Sequence, residues 1–299
     1  MRKIIAAILA LTLALGACFM LSSCGGKTDD PTTTAAADNS EPVEDTAAPS
    51  EAVTGDNGET VTPSESAPAE IRTPAEEPTT LVTVTAPVGG SVADIVTYYN
   101  NAVNGAKKYP GKMTVKRTQG TVSSLEEISI GLAQGVVEGV LPNDYPKNET
   151  QTFVNGKSSS GKTAASFFPV DDKPYASNLT PAGVKSATCT ANGKGSKVVI
   201  TLISEDGNDI NFVPKHHASC ADTLALTQAD LDPLTINECH ITYTGMTLTA
   251  EIDEFGRVTS LKVSEPVTIE GKVAWKKLNL IEVKVLGTWK QEFVVTYQF

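Results

Sequence analysis

The chain has 299 residues, and its formal net charge of −11 is unevenly spread: residues 25–80 hold thirteen acids and two bases, residues 81–299 hold 22 acids and 20 bases. A near-neutral C-terminal part with no basic cluster excludes the electrostatic footprint of a nucleic-acid binder. Its 219 residues include all seven Tyr and both Trp, enough for one sizeable core.

The chain opens MRKIIAAILALTLALGACFMLSSC. Arg2 and Lys3 precede an apolar stretch from Ile4 to Met20, the pattern of a secretory signal over residues 1–23. At 17 residues the stretch also sits near the lower limit for a spanning helix, so an uncleaved N-terminal helix is the alternative. Leu21-Ser22-Ser23-Cys24 resembles a bacterial lipobox, with Ser23 where Gly or Ala is commoner. The resemblance implies cleavage before Cys24 and a diacylglycerol on its thiol. Two acyl chains anchor stably where one does not. The expected location is thus the extracytoplasmic face of a bacterial membrane, with the membrane as partner.

Residues 24–80 read as a tether. From residue 25 the segment has no aromatic residue and seven of the chain's 17 prolines. Such a composition buries too little apolar surface to offset its ordering entropy, which predicts a disordered coil of roughly 40 Å root-mean-square span. A plain spacer is the simpler role; an acidic docking tail is the sharper one.

Residues 81–299 read as a single α+β domain. SVADIVTYYNNAVNGAKK (91–108) predicts a helix: Ser91 and Asp94 make a capping-box variant, and Val92, Ile95, Val96, Tyr99, Ala102, Val103 and Ala106 recur at helical spacing. A strand follows over 113–122. A second helix is expected over 125–141 from Ser124 and Glu127 as a capping box and from Leu125, Ile128, Leu132, Val136 and Val140, a strand being the alternative. Gly131, Gly135 and Gly139 on that helix suit close approach to a sheet. Residues 187–203 read as a hairpin through Asn192–Gly195, and the last 64 residues as an antiparallel meander ending in Trp289, Phe293, Val295, Tyr297 and Phe299. Helices first and strands afterwards predict a curved antiparallel sheet covered by the N-terminal helices.

GKSSSGKT (156–163) matches the pattern of a phosphate-binding loop. The chemistry needs a following helix whose amides hold the phosphate, and here AASFF runs into Pro169 within two turns. No nucleotide partner is expected, and no cofactor is implied. The three histidines and the cysteines after Cys24 fall between 189 and 240. A Cys220–Cys239 disulfide closing a 20-residue loop suits an exported protein and would contribute about 3 kcal/mol. Free thiols are a second reading. A zinc site on His216, His217, Cys220 and one of Cys239 and His240 is a third; neighbours on a strand point to opposite faces, so those last two cannot both serve it. No catalytic motif stands out.

The helix-then-meander order resembles the carrier lipoproteins of the LolA and LppX type, in pattern only. That resemblance implies an apolar cavity for lipid between helices and sheet. Its expected lining is Ile95, Tyr99 and Val103 from the helix and Ile252, Phe293 and Tyr297 from the meander. A tethered interaction module with a solid core is the alternative function, and an enzyme built from distant residues is the third.

Overall fold

The computed structural model describes residues 81–298 apart from Asp172, Ala225 and Leu226. The expected signal, Cys24 and the tether lie outside the described residues. The architecture is a mostly antiparallel, open, 10-stranded sheet with two short helices. No helix among the described residues is long and apolar enough to cross a membrane.

Helix α1 (Val92–Lys107) forms as its pattern predicts. Ser91 Oγ accepts the Asp94 amide at 3.2 Å, and Asp94 Oδ2 accepts the Ser91 amide at 3.3 Å. A cap of this kind contributes about 1 kcal/mol. The buried stripe Ile95, Val96, Tyr99, Ala102, Val103 and Ala106 packs in one cluster with Val198, Ile200, Leu248, Leu261 and Phe293 of the sheet. Asn104 pins the polar side of α1 to an irregular segment, its Oδ1 accepting the amides of Ala176 and Ser177 at 2.7 and 3.0 Å.

Strand β1 (Lys112–Ile128) runs six residues past the expected strand. The second helix is corrected accordingly. A short 3-10 turn (Gly131–Ala133) leads into α2 (Gln134–Val140), and Ser124 to Ile128 belong to β1, paired with β10 (Leu278–Gln298) as far as Ile128 opposite Val283. The register shifts between Leu125 and Glu127, a bulge that puts Leu125 and Ile128 in one apolar cluster with Val283. One extra residue turns the two-residue strand period into a spacing of three, which mimics a helix. A Cβ built on Gly131, Gly135 or Gly139 meets nothing within 4 Å, so these glycines do not mark a close helix–sheet contact.

The remaining strands are β2 (Lys147–Val154), β3 (Lys157–Ser158), β4 (Val184–Asn192), β5 (Gly195–Leu202), β6 (Glu205–Gly207), β7 (Thr235–Tyr243), β8 (Thr247–Ile252) and β9 (Val258–Trp275). The hairpin expected over 187–203 is β4–β5. The meander is antiparallel as expected, but RVTSLKV, PVTIEGKVAW, NLIEVKVLG and WKQEFVVTYQF, whose alternation reads as four separate strands, merge into two long ones, β9 and β10. Sheet order is β3-β2-β1-β10-β9-β8-β5-β4, with β7 also on β9 and β6 on β7. β8 pairs with the first half of β9 and β7 with the second half, so the two lie end to end along one edge. Gly245 supplies the positive φ of 60° at the break between them. Pro266, which has no N–H to give, sits where β9 changes neighbour, and its carbonyl accepts the Thr244 amide at 2.9 Å. This break positions the site.

Candidate functional site

Strand alternation places Leu261, Val263, Glu265, Val267 and Ile269 of β9 on one face. Four are apolar; Glu265 is the exception and is fully buried. Thr121 of β1 and Glu265 both stand directly opposite Trp289 of β10, giving one cross-strand row. Gln291, two residues beyond Trp289, lies on the same face and is buried beside Gln119, its Nε2 3.3 Å from Gln119 Oε1. A polar belt therefore crosses an otherwise apolar face.

His217 meets this belt from a 3-10 turn, His217–Ser219. Glu205 Oε2 fixes the turn by accepting the amides of His216 and His217 at 2.8 and 3.1 Å. The buried ring has both nitrogens engaged: Nδ1 lies 3.1 Å from Glu265 Oε1, and Nε2 lies 2.8 Å from the Ile203 carbonyl. Burial opposes the imidazolium, but the Glu265 hydrogen bond, the Ile203 carbonyl and the Glu265 charge outweigh it, so the His217 pKa is raised. Burial pushes the Glu265 carboxyl up as well, against the pull of His217. The pair holds its proton tightly.

Next to the pair is an apolar cavity of about 110 Å³. Its floor is the sheet face with Thr121, Glu265, Val267, Ile269, Val285, Gly287 and Trp289; Val137 and Val140 of α2 and Leu224, Leu231 and Leu234 close it. Glu265 Oε2 and Trp289 Nε1 are buried with no hydrogen-bond partner among the described residues, and Gln291 Oε1 is a third such atom beside them. Leaving such atoms unmet costs about 1–3 kcal/mol each, so their gathering beside one cavity is the mark of a site.

The expected lining is elsewhere. Ile95, Tyr99, Val103, Ile252 and Phe293 are buried in the main core, Phe293 stacked on Phe168 with centroids 5.5 Å apart. Tyr297 packs against that core and donates its hydroxyl to the Val258 carbonyl at 3.0 Å. None of the six lines the cavity. Where the resemblance led us to expect a hollow between α1 and the sheet, these side chains fill the space.

The expected disulfide is also corrected: Cys189, Cys220 and Cys239 are free thiols. Cys220 Sγ packs 4.0 Å from Met246 Sδ, seven residues along the chain from Cys239, which lies at another cluster with Ile241 and Ile269. Cys239 stands opposite Gly271, and Thr247, next to Met246, stands opposite Ser264, seven residues away on the continuous strand β9; that span is roughly 20 Å, far beyond disulfide reach. Burial pushes the Cys220 thiol well up, so it is inert. His240 hydrogen-bonds Asn208 at 2.7 Å, and no group of three or more metal-ligating side chains gathers among the described residues.

GKSSSGKT holds the end of the β2–β3 turn, the two-residue strand β3 and the loop after it. Lys162 pairs with Glu149, and the chain then buries Ala164, Phe167 and Phe168 without forming a helix, so no row of free amides awaits a phosphate. A second, open cavity of about 820 Å³ involves Glu238, His240, Glu270, Lys272 and Lys284. There Lys272 meets Glu238 at 2.7 Å and Lys284 meets Glu270 at 2.8 Å, the cross-strand charge pairs of a solvated face.

Sequence reasoning missed Glu265, Trp289, Gln291 and the role of His217. One signal was present: Glu265 interrupts an apolar alternation from Leu261 to Ile269, and a carboxylate in the buried phase of a strand needs a reason. Comparison of the chain with protein-family models, with curated proteins and with solved structures found no match.

Proposed function

We propose that this protein is an exported, membrane-tethered binding module that holds a small, largely apolar molecule in the cavity beside Glu265 and Trp289. The observation that carries the reading is the unpartnered, fully buried Glu265 Oε2 at an apolar cavity. In this reading Cys24 is the lipidated N-terminus, the tether spaces the domain from the bilayer, and the sheet curves along the break at 244–246 with the helices over its inner face. The cavity's volume of about 110 Å³ lies below the roughly 150 Å³ that accepts benzene, so the occupant is at most a small ring or a short chain. It is not a whole lipid.

Gly287→Val gives the test. A Cβ at Gly287, which lines the cavity, meets only Ser123 Oγ at 3.6 Å and the Val267 carbonyl at 3.9 Å, ordinary contacts, so a valine there takes up cavity space. Native mass spectrometry of the full-length protein should find a small bound molecule, absent from a Gly287→Val protein of equal or higher melting temperature. A natural protein that carries no adduct, and that no small apolar molecule stabilises, contradicts the reading. In that event the second reading, a tethered interaction module, gains: the core at α1 is solid, and β3, β4 and β6 each leave the sheet with an edge.

A further inference from the structure

The cavity's orphaned atoms define the polar end of what it binds, an inference that rests on the binding reading above. We infer that the ligand's head is an uncharged group that both donates and accepts a hydrogen bond, an alcohol in the simplest case, seated between Glu265 Oε2 and Trp289 Nε1, two atoms that the packing closes off from the cavity and that the head reaches by parting their side chains.

The proton count of the His217–Glu265 pair carries this. The Ile203 carbonyl only accepts, so His217 Nε2, 2.8 Å away, carries a hydrogen. One more proton lies between Nδ1 and Glu265 Oε1, 3.1 Å apart. Placed on nitrogen, it gives an imidazolium beside a carboxylate; placed on oxygen, it gives a neutral imidazole beside a carboxylic acid. Both arrangements have zero net charge. In both, Oε2 is an acceptor with nothing to accept from.

Trp289 imposes the opposite demand. Its indole Nε1–H only donates and has no acceptor. Trp289 and Glu265 are directly opposite on adjacent strands, where Cα atoms lie about 4.5–5.5 Å apart, so one small group can face both. An ammonium satisfies Glu265 but leaves the indole unmet, and it adds an unbalanced charge to an apolar cavity. A carboxylate satisfies the indole but sets its lone pairs against Oε2, with Glu205 and Asp222 adding repulsion. A hydroxyl meets both.

Calorimetric titration of the full-length protein with phenol, toluene, benzylamine and benzoate at neutral pH tests this, with Gly287→Val as the control for the site. Phenol should bind about tenfold more tightly than toluene, as one or two net hydrogen bonds give, and more tightly than either ion. Trp289→Phe, which keeps an aromatic ring and loses the indole N–H, should narrow the ratio of phenol to toluene affinity. Equal binding of phenol and toluene, or tighter binding of either ion, overturns the head-group assignment while the cavity stands as a binding site. Binding of none of the four overturns both.

Discussion

Replacing Glu265 by Met keeps the side chain's length and removes both oxygens. His217 then loses its Nδ1 partner in a site where both residues are fully buried. At pH 6, below the ordinary histidine value of 6.5, the unfolded chain carries an imidazolium that the variant core cannot balance. Breaking a buried pair in this way costs about 3–5 kcal/mol, a large part of the 5–15 kcal/mol typical of a domain. At pH 8.5 the ring is neutral in both states and the cost falls to about 1–3 kcal/mol, that of an unmet hydrogen bond. The sign of the pH dependence therefore inverts. In the natural protein both pKa values are raised on folding, so the native state binds more protons than the unfolded state. The stabilisation is complete below the ordinary values, 4.5 for Glu265 and 6.5 for His217, and is lost as pH rises through the raised ones. In the variant the unfolded state binds more, and stability rises with pH. Urea unfolding at pH 6 and 8.5, followed by circular dichroism, reads both slopes. Glu265→Met with His217→Leu should be less destabilised at pH 6 than Glu265→Met alone. A Glu265→Met loss below about 1 kcal/mol at pH 6, or a double variant equal to the sum of its singles, would refute the buried-pair account.

Phe293→Ala, in the solid core under α1, should cost about 3–5 kcal/mol in urea unfolding and leave ligand affinity per folded molecule unchanged; a selective loss of affinity would return the binding site to the α1 interface. Cys24→Ala should release the protein from the membrane fraction or block its processing, and normal fractionation and processing would sink the lipid anchor. Lys162→Ala removes an exposed ion pair with Glu149, so its effect on stability should stay within about 1 kcal/mol, and ATP with magnesium should not shift the melting temperature. A magnesium-dependent stabilisation by ATP would overturn the loop reading of GKSSSGKT.

Local features were legible in the sequence where one interaction dominated. Helix α1 declared itself because its cap and its apolar stripe lie within 16 residues, and the β4–β5 hairpin because Gly193 and Lys194 close it locally. The second helix was misread because the bulge in β1 spaces Leu125 and Ile128 as a helix would. The long strands were read in pieces because Pro266 and Gly287, ordinarily breakers, fall within β9 and β10; at Pro266 the neighbouring strand changes. The site was hardest of all. Glu265 meets His217 across 48 residues of sequence, and Thr121 meets Trp289 only through the β1–β10 register. Alternation can flag a buried carboxylate, but it cannot name the partner.

A small molecule seated against Trp289 would be reported directly by the chain's own indole groups. The sequence has two tryptophans, Trp275 and Trp289, so a nitrogen–proton correlation spectrum of the full-length protein shows two indole signals. Trp289 Nε1 lies buried at the cavity, whereas Trp275 packs beside the Ile281 cluster and does not line it. On titration with phenol the Trp289 signal should move downfield and saturate, as an N–H does on gaining an acceptor, while the Trp275 signal holds its position. Equal small drifts of both signals, or no change in either at saturating phenol, would contradict the account.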